Sequence, residues 1–88
     1  MSWQVQFAPS PIRALDQLPT KIVAAVIEFA TVTLPSNPER MSKPLRGELE
    51  GLRSARRGDY RVLFSLDEAT GALLIVRIGH RADVYRSR

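Results

Sequence analysis

Residues 60–66 constrain this chain most. Tyr60, Val62, Phe64 and Leu66 alternate with Arg61, Leu63 and Ser65, the period of two expected of a β-strand whose faces differ. Gly58-Asp59 precedes this stretch and Asp67 to Gly71 follows it, both with turn composition. Leu52 to Arg57 reads as the preceding strand and Ala72 to Ile78 as the following one. In the latter a regular alternation puts Leu74, Val76 and Ile78 on one face, and Leu73, Ile75 and Arg77 on the other. Three strands joined by tight turns form a small twisted antiparallel sheet, and its apolar face must be covered from elsewhere in the chain.

The cover is in the first 34 residues. Trp3, Val5 and Phe7 alternate with Gln4 and Gln6 as a short strand. Ser10 then suits a helix cap, with Pro11 at the first helical position. Ile12, Leu15 and Leu18 form a one-sided stripe that Pro19 closes. Thr20 suits a second cap, and Lys21 to about Leu34 carries apolar pairs four apart: Ile22/Val26, Val23/Ile27 and Val26/Ala30. The spacing predicts two helices on one sheet face. Pro35 to Pro44 reads as a polar connection, with Leu45 and Leu49 anchoring a short turn after it. Gly79 permits a bend or bulge, and Ala82 to Tyr85 reads as a short last strand or extended tail. The expected class is α+β, in the order β-α-α-β-β-β.

Composition narrows the function. At 88 residues and 44% apolar content, residues 1–88 form one domain with a thin core. Cysteine is absent and His80 is the only histidine, which argues against disulfides, thiolate catalysis and multi-histidine metal sites. Asp59 and Asp83 are more suited to anchoring an arginine than to holding metals, and the glycines form no phosphate-loop pattern. No cofactor is called for. The apolar stretches Ile22–Ile27 and Ala72–Val76 are too short to span a membrane. Met1-Ser2-Trp3-Gln4 carries no leader pattern, so the expected location is cytoplasmic.

Of the 13 basic residues 11 are arginine, against 9 acidic residues, for a net charge of +4. Nine of those arginines lie from Arg46 to Arg88. Arginine's planar fork suits phosphate, and the clustering favours a polyanionic partner, either nucleic acid or an acidic protein.

With helices on one face, the other face keeps Arg61 in its best-defined strand, aimed rigidly enough to hold a phosphate and stabilise charge developing on it. Arg53 or Arg56, Arg77, His80, Arg81 and Tyr85 are candidates to join it. Arg81 and Tyr85 lie four apart, hence on one side of an extended chain. A tyrosine beside arginines can take a proton as a general base, or stack on a base. His80 is placed to give a proton to a leaving oxygen. Such a set implies RNA cleavage without metal, the substrate's 2′-hydroxyl attacking the adjacent phosphorus.

Lys43-Pro44-Leu45-Arg46-Gly47, Gly51, Arg56 to Phe64 ("RRGDYRVLF") and Ile78 to Tyr85 ("IGHRADVY") together resemble the RelE/ParE superfamily of toxins from bacterial type II toxin–antitoxin systems, the RelE branch most of all. The resemblance covers nearly the whole chain. It implies two N-terminal helices against a twisted sheet, and a ribosome-dependent endoribonuclease that cuts messenger RNA in the A site and stops translation. It also implies a cognate RelB-like antitoxin. Within it, Arg61, Arg81 and Tyr85 fall on reactive positions. Lys43, Arg46 and Arg56 fall on basic ones, and Arg53, Arg57 and Arg77 extend the RNA-binding set. The best-studied form carries two lysines where this chain has Leu52 and Ser54; a bulge bringing Arg53 or Arg57 round, or His80, would compensate. The alternatives are a ParE-like inhibitor of DNA gyrase and a non-catalytic protein-binding module.

Overall fold

A computed structural model describes residues 3–85. Strand β1 spans Gln4–Phe7, helix α1 Pro9–Leu15 and helix α2 Thr20–Glu28. They are followed by β2 at Ser42–Pro44, β3 at Arg53–Arg57, β4 at Tyr60–Asp67 and β5 at Ala72–His80. The five strands form one sheet in the order β1-β5-β4-β3-β2. Both helices lie on one face, so the α+β class and the helix-covered sheet are as the sequence implied.

The pairing departs from the expectation at two edges. β1 runs parallel to β5, which makes the sheet mixed rather than purely antiparallel. The fifth strand is not C-terminal. It is β2, three residues from the proline-rich connection, paired antiparallel with β3. Pro44 lacks an N–H and is tolerated because this is an edge.

The helix ends also sit earlier than the capping residues suggested. Ala8 occupies the N-cap of α1 and Pro9 its first turn, with Pro11 buried further in. Pro19 occupies the N-cap of α2, so Thr20 is already helical. Past Glu28 the helix continues as a π turn over Phe29–Thr33 and a 3₁₀ turn over Leu34–Ser36. That widening turns Phe29, Ala30 and Leu34 inward together.

Val26, Phe29, Ala30 and Leu34 pack against Ala55, Val62, Phe64, Leu73, Ile75 and Ile78 of the sheet. This list corrects the face assignment in β5. The register slips between Leu63 and Phe64: Leu63 opposes Arg77 while Phe64 opposes Ile75, leaving Val76 as an extra residue. A one-residue bulge reverses the alternation. Leu73, Ile75 and Ile78 therefore face the helices, while Leu74 and Arg77 face away.

The hairpin between β3 and β4 closes in two residues, Arg57 opposing Tyr60. Gly58 has φ +61° and, among the described residues, no non-glycine has positive φ, the type II′ pattern that matches the twist of the strands. The turn fixes Arg61 directly opposite Arg56.

Candidate active site

The sheet face away from the helices is open, and the register says what it carries. One row across the strands is Lys43, Ser54, Leu63 and Arg77; the next holds Arg56, Arg61 and Gly79. Side chains directly opposite each other stand about 4.5–5.5 Å apart at Cβ. These rows therefore bring Lys43 beside Ser54 and Arg56 beside Arg61. The Arg61 guanidinium is held by the turn, its Nη1 donating to the Gly58 carbonyl at 3.0 Å and the Tyr60 carbonyl at 3.2 Å.

The C-terminal segment completes this face, and not as a strand. Residues 81–85 form a turn. The N–H groups of Asp83 and Val84 both donate to the His80 carbonyl at 2.9 Å, and Arg81 N–H donates to the Asp59 carbonyl at 2.8 Å. The turn replaces the extended geometry that would have put Arg81 and Tyr85 on one side. Val84 is buried over the sheet, its Cβ 3.6 Å from where a side chain on Gly79 would begin. Arg77 Nη1 donates to the Val84 carbonyl at 3.2 Å. Tyr85, next in the chain, lays its phenol against β3, 2.7 Å from Ser54 Oγ. Gly79 thus serves the site through its missing side chain, and the bulge falls at Val76 instead.

Between β2 and Tyr85 lies a cleft of about 530 Å³, lined by Arg40, Met41, Lys43, Leu45, Ser54, Arg56, Arg61 and Tyr85. Its polar wall is cationic and hydroxylic. Its other wall is the apolar edge of β2 and Leu45. A phosphodiester suits the first and a base or sugar the second. No helix among the described residues is long and apolar enough to cross a membrane.

The other candidates stand apart from this cleft. His80 opposes Tyr60 at the far end of β5, edge-on to the Tyr60 ring with centroids 5.7 Å apart. Its Nδ1 accepts the Ala82 N–H at 3.1 Å. Tyr60 packs on the helix-side core, so His80 is on the helix side of the sheet and the turn uses it as a hinge. Arg81 is exposed in that turn, and Arg46 is exposed just before the Gly47–Leu49 turn. Arg86 and Arg88 of the basic C-terminus, and Met1 and Ser2 of the start, lie outside the described residues.

Arg53 and Arg57 share a face with buried Ala55. No bulge interrupts β3, so neither is brought round to the open face. Arg57 is exposed at the hairpin end. Arg53 is engaged: its Nε donates to Ser42 Oγ at 2.7 Å, and its Nη2 to the carbonyls of Glu39 at 3.1 Å and Ser42 at 3.3 Å. It braces from behind the segment that carries Arg40, Met41 and Lys43 into the cleft. Arg53→Met should cost about 1–2 kcal/mol, since these bonds are only partly shielded from water. It should also quicken amide hydrogen exchange over residues 39–44. Unchanged exchange there would show the brace to be idle. Such a role leaves no sequence signal beyond an arginine placed out of phase with Arg56 and Arg61.

The chain matches, over residues 5–85, the family model described as "ParE toxin of type II toxin-antitoxin system, parDE". It is 48% identical over 86 residues to Toxin RelG of Mycobacterium tuberculosis, covering 98% of this chain and 99% of that one. It is 45% identical over 84 residues to Toxin RelE of the same organism, covering 96% and 87%. Among solved structures it superposes with TM-score 0.87 on a chain of the toxin–antitoxin complex RelBE2 from Mycobacterium tuberculosis, at 44% identity, covering 92% of this chain and all of that one.

Proposed function

This chain belongs to the RelE/ParE superfamily of toxins from type II toxin–antitoxin systems, and we propose that it is an endoribonuclease that cuts messenger RNA on the ribosome and is silenced by a RelB-like antitoxin. The observation that carries this reading is the cleft itself. Arg61, Arg56 and Lys43 line one cleft, with the Tyr85 phenol fixed in it by Ser54. The antitoxin reading is supported by the RelBE2 complex, in which a relative of this size is held by one.

In the proposed reaction a phosphodiester lies across β3 and β4 with its non-bridging oxygens toward Arg61 and Arg56. The 2′-hydroxyl loses its proton to the Tyr85 phenolate oxygen, and the 2′ oxygen bonds to phosphorus. Arg61 stabilises the charge on the five-coordinate centre, and the bond to the 5′ oxygen breaks as that oxygen gains a proton. The products are a 2′,3′-cyclic phosphate and a 5′-hydroxyl. Arg40, Arg46 and Arg81 extend the positive surface for RNA backbone beyond the cut.

Tyr85→Phe should slow cleavage by about 10²- to 10⁴-fold, the usual range for losing a positioned base. Ser54→Ala leaves the phenol present but unheld, and should slow it by roughly 10- to 100-fold. Both variants should melt close to the wild type, because the bond they break is exposed. Single-turnover rates with melting curves separate the two effects; a large melting shift with proportionate loss of rate would assign both residues to folding.

The end groups test the chemistry. Messenger RNA cut by the purified toxin on ribosomes should carry cyclic phosphate ends, and a single 2′-deoxy sugar before the cut should abolish that cut. Cleavage that survives the deoxy substitution would overturn the mechanism. A second reading, gyrase inhibition, draws on the ParE description of the matching family model and on the uncharged Leu52 and Ser54 in β3 and the turn before it. It requires unbroken message together with loss of supercoiling.

A further inference from the structure

The proposed cleavage leaves one step without a donor: the 5′ oxygen must take a proton as it departs. His80 cannot give it, because it is turned to the helix side against Tyr60. Arg40, Arg56 and Arg61 supply charge, but a guanidinium does not release a proton at neutral pH. Tyr85 is occupied with the 2′-hydroxyl. Lys43 is different. The chain has only two lysines; the other, Lys21, is in α2 on the covered side of the sheet. Lys43 projects from β2 on the open face, in register with Ser54. Ser54 Oγ is in turn 2.7 Å from the Tyr85 hydroxyl, and all three line the same cleft as Arg61.

We infer that Lys43 is the general acid of this site, acting with Tyr85 as an acid–base pair linked through Ser54. The inference rests on the endoribonuclease reading. As the bond between phosphorus and the 5′ oxygen breaks, the Lys43 ammonium passes one proton to that oxygen and becomes an amine. The Tyr85 phenolate has already taken one proton from the 2′-hydroxyl and become a phenol. The starting state returns when the phenol gives its proton to the Ser54 hydroxyl and that hydroxyl gives its own to the amine. No proton is gained or lost over the cycle, and no bulk water is needed for it.

A charge contact and an acid are told apart by arginine. Lys43→Arg keeps the positive charge and should bind a non-cleavable messenger RNA within about twofold of the wild type, yet slow single-turnover cleavage on the ribosome by about 10²- to 10⁴-fold, as Lys43→Met does. Message with sulfur in place of the scissile 5′ oxygen needs no acid. On it both variants should recover to within a few-fold of the wild type, while Arg61→Ala should stay slow. Lys43→Arg cleaving the ordinary message at the wild-type rate would overturn the inference and leave Lys43 a phosphate contact. So would failure of the sulfur substrate to rescue. No cleavage by the wild type in the same reactions would instead remove the endoribonuclease reading itself, and this inference with it.

Discussion

Arg61→Ala should lower messenger RNA cleavage by about 10²- to 10³-fold, the range seen when one preorganised donor to a developing anion is removed. The reason is placement. Arg61 stands mid-sheet on the open face, directly opposite Arg56, and its own turn holds it through the Gly58 and Tyr60 carbonyls. It pays little orientational entropy in the transition state, so its charge acts at nearly full strength. The same bonds are partly exposed, and losing them should cost only about 0.5–1.5 kcal/mol of stability. Activity should therefore collapse while the melting temperature falls by only about 2–12 °C. Arg61→Lys separates charge from fork: it keeps the charge, loses the planar two-point hold on phosphate, and should recover only part of the rate. Equal rates for Arg61→Ala and wild type would move the phosphate site off β4.

Phe64→Ala should have the opposite signature. Phe64 is fully buried and is the largest of the fully buried side chains among the described residues, beside Ile75 in the core beneath the helices. Truncating it should cost about 3–5 kcal/mol, against a total stability of about 5–15 kcal/mol for a domain of this kind. For a chain this short each kcal/mol moves the midpoint by about 4–8 °C, so the variant should melt at least 12 °C lower in calorimetry. A shift under about 4 °C would mean that the helix side is not one cooperative core. Leu63, one residue earlier, is equally buried but faces the open side. Leu63→Ala should loosen the surface on which the C-terminal turn rests, and so should reduce cleavage more than Phe64→Ala does when both are compared well below their melting points.

These residues also show what the sequence could and could not say. β4 was legible because Tyr60 to Leu66 alternates cleanly between two turns, and its register with β3 followed from the two-residue loop. Arg61 was legible for the same reason. The face of β5 was not. Leu73-Leu74-Ile75-Val76 is apolar throughout, so alternation carries no phase there, and the extra residue at Val76 turns Leu73 and Ile75 inward. Edge pairings were hidden as well. Ser42–Pro44 has no strand pattern of its own and becomes a strand only by pairing with β3, and the parallel partner of β1 lies some 70 residues away in sequence.

The candidate site divides along the same line. Arg56 and Arg61 reached the open face because they sit in phase on regular strands. Arg53 is three residues before Arg56, hence out of phase with it, and works behind the sheet. His80 looked suited to chemistry by residue type, yet Gly79 and the turn after it put His80 with Tyr60. Tyr85 reached the cleft through a fold-back that depends on Val84 finding the bare backbone of Gly79. That contact links residues near in sequence through a surface made by strands far apart. No local pattern encodes it.

The most direct measurement is primer extension on messenger RNA in a reconstituted translation reaction, with and without ribosomes, comparing wild type with Arg61→Ala and Tyr85→Phe. Cuts inside A-site codons that require ribosomes and fade by at least tenfold in both variants are expected. Unbroken message with the wild type, at toxin concentrations that stop growth, would contradict the endoribonuclease reading and point to gyrase.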